Sequence, residues 1–286
     1  MVKKYFEFLY EKKSDKYLSY YIFDWDDNIL VMPTKILLDK FVDGEWIPVE
    51  VSTKEFSEVR KYIDDYLNGK ESIWRFRNNI ANEAFSEFRD WGERGEKAFP
   101  DDTIYAIKNN NFGPVWDIFI ECLIGGHIFM IVTARGHEPN TIKSAVKWII
   151  DNYLNNHQKN DMEENLRKFN ALFEINDAIW DFEDLVNNYL DLCYYIGICS
   201  EYFRELFNLE KDTKIETEKF KAMAIRYFTK SVNEYGKKIN RRVKVGFSDD
   251  DPATVQHVYK YLKDKLWYEI PIDYYVFHTK DGIKKL

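Results

Sequence analysis

A chain of 286 residues is long enough for one large domain or for a core carrying a substantial insertion. Its 45% hydrophobic and 17% aromatic content excludes a disordered chain, and three cysteines in no zinc-like spacing exclude a disulfide framework or zinc site. A net charge of −8 argues against general affinity for nucleic acid, and no apolar run approaches the roughly 18 residues of a membrane span. The expectation is a reduced, soluble, cytoplasmic protein without membrane association; its oligomeric state is open.

In chain order, the first strand-like run is Leu18–Phe23. A hairpin follows, Thr34–Phe41 and Glu45–Val51, turned by Asp43-Gly44. Helices then run from Thr53 to about Asn109, with Trp74, Phe85, Phe88 and Trp91 spaced for buried faces. Asn109–Asn111 before Phe112-Gly113-Pro114 marks the loop returning to the core. A second run, His127–Val132, precedes a helix over Glu138–Tyr153 that opens with Pro139, where a missing N–H costs little. About 155–192 is charged and helical. Cys193–Cys199, Val243–Phe247 and Asp273–His278 complete the strand-like runs, separated by helices Glu216–Tyr235 and Pro252–Leu262. Mostly aromatic and β-branched runs alternating with helices predict an α/β fold with a parallel sheet buried on both faces. Both extra stretches read as insertions over the carboxyl edge of that sheet. The basic run Lys237, Lys238, Arg241, Arg242 and Lys244 reads as a solvated helix end and strand start.

Ligands of parallel α/β sheets collect at the carboxyl ends of the strands. Asp24-Trp25-Asp26-Asp27-Asn28 follows the first run, Thr133-Ala134-Arg135-Gly136 the second and Ser248-Asp249-Asp250-Asp251-Pro252 the fourth. Two acidic clusters at one edge repel unless a cation offsets them, and an open, oxygen-rich site suits Mg²⁺. Asp249–Asp251 before Pro252 also fits a plain helix N-cap. An EF-hand reading of Asp24-x-Asp26-x-Asn28 fails, because Ile29 and Lys35 stand where Gly and Glu are required.

Phe23-Asp24-Trp25-Asp26-Asp27-Asn28-Ile29-Leu30 resembles motif I of the haloacid dehalogenase superfamily. Ile131-Val132-Thr133-Ala134-Arg135 is similar to motif II, and Val245-Gly246-Phe247-Ser248-Asp249-Asp250 to the acidic motif IV. Thr217-Glu218-Lys219-Phe220-Lys221 supplies the basic residue of motif III, with Lys221 preferred and Lys219 the alternative. The resemblance implies a Rossmann-like three-layer sandwich of sheet order 3-2-1-4-5. The core would comprise 1–34 and 112–286, with a helical insertion at about 155–192, and 35–111 would form a hairpin plus helical cap.

It also implies chemistry. Asp24 would be the nucleophile and Asp26 the acid and base that protonates the leaving oxygen and then activates water. Mg²⁺ would be held by the Asp24 carboxylate, the Asp26 backbone carbonyl and Asp249 or Asp250. Thr133 and Lys221 would bind the phosphoryl group. Asn28 stands where Thr or Val is usual and is counted with them, although that position mainly shapes the loop. Arg135 and His137 are candidate substrate contacts, Arg135 also fitting a plain ion pair. The expected function is Mg²⁺-dependent hydrolysis of a small phosphomonoester, a nucleotide or sugar phosphate. A polynucleotide end-phosphatase and a non-catalytic metal-binding or partner-recognition module are the alternatives. A basic groove beside Asp24 would favour the former.

Overall fold

The computed structural model describes residues 17–210, 213–214 and 216–286. Two sheets organise them. The larger has six strands in the order β6–β5–β1–β7–β8–β9. Its members are β1 (Tyr17–Phe23), β5 (Phe129–Thr133), β6 (Tyr194–Gly197), β7 (Arg242–Asp249), β8 (Asp273–His278) and β9 (Lys284–Lys285). All neighbours pair in parallel except β9, which runs antiparallel to β8. The sheet thus differs from the expected five-strand order 3-2-1-4-5, because Lys284 and Lys285 add a short sixth strand beyond β8. Burial at every position of β5 is what coverage of both sheet faces requires.

The α-helices of six or more described residues are α1 (Thr53–Leu67), α2 (Ala98–Lys108), α3 (Trp116–Ile124), α4 (Pro139–Asn152), α5 (Asn156–Leu172), α6 (Phe182–Leu192), α7 (Glu201–Leu206), α8 (Thr217–Lys238) and α9 (Pro252–Tyr261). Capping boxes at Ser52, Asn155 and Asp181 start α1, α5 and α6, each pairing the cap side chain with the backbone three residues on. Helix α8 turns a stripe of Lys221, Ala224, Ile225, Phe228 and Val232 into the core and packs against β7, β5 and β1. No described helix is long and apolar enough to cross a membrane.

The smaller sheet, β3–β2–β4, comprises β2 (Ile36–Val42), β3 (Glu45–Val51) and β4 (Trp74–Phe76). The hairpin expected there forms, with both Asp43 and Gly44 at positive φ as its two-residue turn requires. The third strand, β4, lies where only helix was expected. Ile36, Leu38, Val51, Ile63, Ala84 and Phe88 form this unit's own core. Phe99, Ala106 and Ile107 belong to the main core instead, so the separate cap core ends near Phe88 and not at 111. The two crossings lie side by side: Val31 N–H donates to Asn111 O at 2.9 Å, and Leu30 bridges Phe112.

The helical insertion at 155–192 is present as α5 and α6 but not over the carboxyl edge. Asn165 donates to Ile124 O and the Tyr189 hydroxyl to His127 O, just before β5 begins. These contacts put it against the amino end of the sheet, because its buried residues, among them Met162, Leu166, Leu185 and Val186, extend the main core there. Trp25 is likewise core, wholly buried against Phe99 and Phe119.

Candidate active site

Parallel register brings three strand ends together. Phe23 lies opposite both Ile131 and Ser248, so Asp24, Thr133 and Asp249 emerge along one edge. The backbone after β1 turns sharply, with Asp27 at φ +57° and Leu30 N–H donating to Trp25 O. Ile29 and Leu30 plug this turn into the core.

Asn28 clamps the turn. Its Nδ2 donates to Asp24 O (3.1 Å), Ser248 O (3.2 Å) and Ser248 Oγ (3.1 Å), while its Oδ1 accepts from Thr279 Oγ1 at 2.8 Å. Fully buried and bonded at both ends of its amide, Asn28 ties β1 to β7 and to the residue after β8. The phosphate contact expected of it gives way to this structural role.

Lys221 occupies the centre. Its Nζ donates to Asp24 Oδ1 and to Asp249 Oδ2, both at 2.8 Å, and all three side chains are nearly or wholly buried. Lys219 instead points outward and pairs with Glu216 across an exposed turn of α8, so of the two lysines it is Lys221 that lies at the strand ends. Asp249 Oδ1 accepts the Asp251 N–H at 2.9 Å, whereas Asp24 Oδ2 takes no hydrogen bond among the described residues. Asp251 is the N-cap of α9, accepting from the N–H groups of Ala253 and Thr254.

One carboxylate oxygen from each of Asp24, Asp249 and Asp250 falls within a 4.8 Å cluster. Burial raises Asp24 well above the usual carboxylate range, opposed by Lys221 and reinforced by Asp249. Asp249 is raised by burial against the pull of Lys221. Burial and the neighbouring Asp249 push Asp250 up to about 7. Burial alone would lower Lys221, but Asp24 and Asp249 hold its ammonium in the charged form. Three carboxylates thus cluster beside an ammonium that bonds two of them, an oxygen donor set that could hold a hard divalent cation.

Asp26 faces a different partner. Arg135 Nε donates to its Oδ2 at 2.8 Å and Nη2 to its Oδ1 at 2.7 Å, a two-point contact, and Thr133 Oγ1 reaches Oδ2 at 3.3 Å. His137 is fully buried, and its Nδ1 lies 2.7 Å from Asp90 Oδ1. Burial lowers its pKa against the opposing effect of Asp90. Arg135 and His137, named as possible substrate contacts, are both engaged by protein carboxylates; for Arg135 this is the ion-pair reading the sequence favoured.

Sequence reasoning missed the cap side of the site. Asp90 Oδ2 accepts the Glu138 N–H and the Thr141 hydroxyl, both at 2.9 Å, pinning the start of α4. Thr53, first in α1, donates to Asp27 Oδ2 at 2.6 Å. Gly136 N–H donates to Phe88 O at 2.9 Å. None of these pairs has a periodic or short-range signal; Asp90 stands in a stretch read only as helix.

No family model, curated protein or solved structure matches the chain. The assignment of chemistry therefore stands on the site's own residues.

Proposed function

We propose that this protein is a Mg²⁺-dependent phosphohydrolase of the haloacid dehalogenase type, acting on a small phosphomonoester through a phosphorylated Asp24. The observation that carries the reading is the Lys221 ammonium shared by Asp24 and Asp249 at adjacent strand ends, with no hydrogen bond to Asp24 Oδ2 among the described residues. A nucleophilic carboxylate needs one oxygen free to attack while neighbouring cations offset its charge and that of the phosphate.

In this reading Asp24 Oδ2 attacks phosphorus. The new O–P bond forms as the bond to the leaving oxygen breaks. Lys221 and the Thr133 hydroxyl hold phosphoryl oxygens and offset the charge that builds on them. Asp26 gives a proton to the departing oxygen and then takes one from the water that cleaves the acyl phosphate, a contribution of roughly 10²–10⁴-fold in such reactions. Held by Asp24, the Asp26 carbonyl and Asp249 or Asp250, Mg²⁺ would supply Lewis-acid neutralisation of the phosphate.

Two observations favour a small substrate over a polynucleotide end. Cap residues Thr53, Phe88 and Asp90 bond directly to the loops after β1 and β5, which seats the cap beside the strand ends. The basic run lies at the other end of the sheet, since Arg242 pairs with Tyr17 at the start of β1. At about 3.3 Å per residue, that is roughly 20 Å from Asp24.

The test is phosphate release from nucleotides, sugar phosphates and phosphorylated oligonucleotides, with Mg²⁺ or with chelator, for the native chain and Asp24→Asn. Release that needs both Mg²⁺ and Asp24 is expected, greatest on a small ester. No release above the Asp24→Asn background would leave a non-catalytic module as the better reading.

A further inference from the structure

Arg135 is only 1% exposed, and its buried Nη1 has no hydrogen-bond partner among the described residues. Two of its three nitrogens grip Asp26, and Nη2 also donates to Thr34 Oγ1 at 2.9 Å. The guanidinium carbon lies 4.3 Å from the Phe88 ring centroid and 5.4 Å from that of Phe99. Thr34 precedes β2, where the chain enters the cap, and its hydroxyl donates onward to Asp102 of α2. Asp102 in turn receives both terminal nitrogens of Arg94, whose Nε donates to Glu87. Phe88 belongs to the cap core, and its carbonyl accepts the Gly136 N–H one residue beyond Arg135. The chain entering the cap and the chain leaving it therefore both close on one guanidinium.

We infer that Arg135 is a positioning residue for Asp26, and that the seated cap, through Phe88 and Thr34, holds Arg135 in the orientation that aims the Asp26 carboxylate. The inference rests on the phosphohydrolase reading and adds to it. A planar guanidinium with a two-point grip fixes a carboxylate's direction as well as its charge, which an ammonium cannot do. A displacement of about 1 Å in a reacting group can cost on the order of 10²-fold in rate. Because Arg135 acts through Asp26, its removal should matter only while Asp26 is present.

The experiment is a double-mutant cycle on the full chain: native, Arg135→Lys, Asp26→Asn and the double variant. Mg²⁺-dependent release from p-nitrophenyl phosphate is read as separate kcat and KM, with the thermal midpoint of each protein recorded. The expected result is a loss in kcat of about 10-fold or more for Arg135→Lys with KM little changed. No further loss is expected when the same change is made on Asp26→Asn. Thr34→Val, which removes the hydroxyl at similar volume, should give a smaller kcat loss of the same kind and serves if Arg135→Lys does not fold. A rise in KM in both backgrounds would make Arg135 a substrate contact and overturn the inference. An equal kcat loss in both backgrounds would make it merely structural, with the same consequence, while leaving the proposed function standing. If the native chain releases no phosphate, the proposed function and this inference fail together.

Discussion

In the proposed reading Lys221 serves both stability and chemistry, because it sits between two buried carboxylates. Lys221→Met keeps the length and removes the charge, leaving Asp24 and Asp249 unpaired. Breaking one side of a buried ion pair costs about 3–5 kcal/mol, so a large fall in thermal midpoint should accompany loss of phosphate release. Mg²⁺ should restore part of that stability, which a melt with and without the ion would read. Asp250 gives a pH signature. Its folded-state pKa of about 7 lies above the ordinary unfolded value of about 3.9, so the folded protein keeps a proton that the unfolded chain releases. Its contribution to stability therefore falls as pH rises from about 4 to 7 and is flat above that. Melts of the metal-free protein should show this fall, Asp250→Asn should diminish it, and Mg²⁺ should raise the midpoint more at pH 8 than at pH 5.

The choice of Lys221 over Lys219 was legible in principle. Position 221 falls on the apolar stripe with Ile225, Phe228 and Val232, whereas 219 falls off it. Strand-end logic likewise located Asp24, Thr133 and Asp249. An ion pair was the favoured reading for Arg135, but its partner was not legible, because Asp26 lies 109 residues away. The burial of Asn28 was hidden for a related reason: its amide bonds to Ser248 and Thr279, 220 and 251 residues distant.

At the level of elements, the loop carrying Asp24 depends on the segment that returns from the cap. Gly113 N–H donates to Ile29 O at 2.8 Å, and a Cβ on Gly113 would stand 2.2 Å from Asn28 O and 2.5 Å from Asn28 C. These are backbone atoms and cannot swing aside. Gly113→Ala should push the Asp24–Asn28 turn outward, costing about 1–3 kcal/mol by overpacking and lowering kcat although residue 113 carries no chemistry. A melt and a rate measurement together check it; unchanged values in both would contradict the packing described. The hairpin was legible from Asp43-Gly44 between apolar runs, and α5 and α6 from their charged helical pattern. Strand β4 was not. Three residues, Trp74–Phe76, are too few for a period, and they form a strand only because β2 offers an edge. The same limit explains the misplaced insertion: periodicity identifies a helix but not the end of the sheet against which it packs.

Over the whole molecule, negative charge and basic residues are unevenly placed. The acidic cluster lies at the carboxyl edge, while Arg242 and Lys244 stack on Tyr17 at the opposite end. Replacing Lys237, Lys238 and Arg241 together by Gln should therefore leave kcat on a small phosphomonoester within about two-fold, since charges farther apart than a Debye length of roughly 8 Å are largely screened. A large loss of release from phosphorylated oligonucleotides alone would instead return weight to an end-phosphatase. The mostly parallel sheet was readable because alternating strands and helices admit few arrangements. How the cap seats was not, since it depends on single side chains such as Phe88, Asp90 and Thr53.

The central claim is that Asp24 carries the phosphoryl group, and trapping that group tests it most directly. The native protein would be mixed with a substrate from the release panel and Mg²⁺, quenched in acid within a turnover, digested and mapped by mass spectrometry. A phosphoryl group on the peptide containing Asp24, absent with chelator and absent from Asp24→Asn, is the predicted result. Turnover with no phosphorylated peptide, or with the group on another residue, would contradict it.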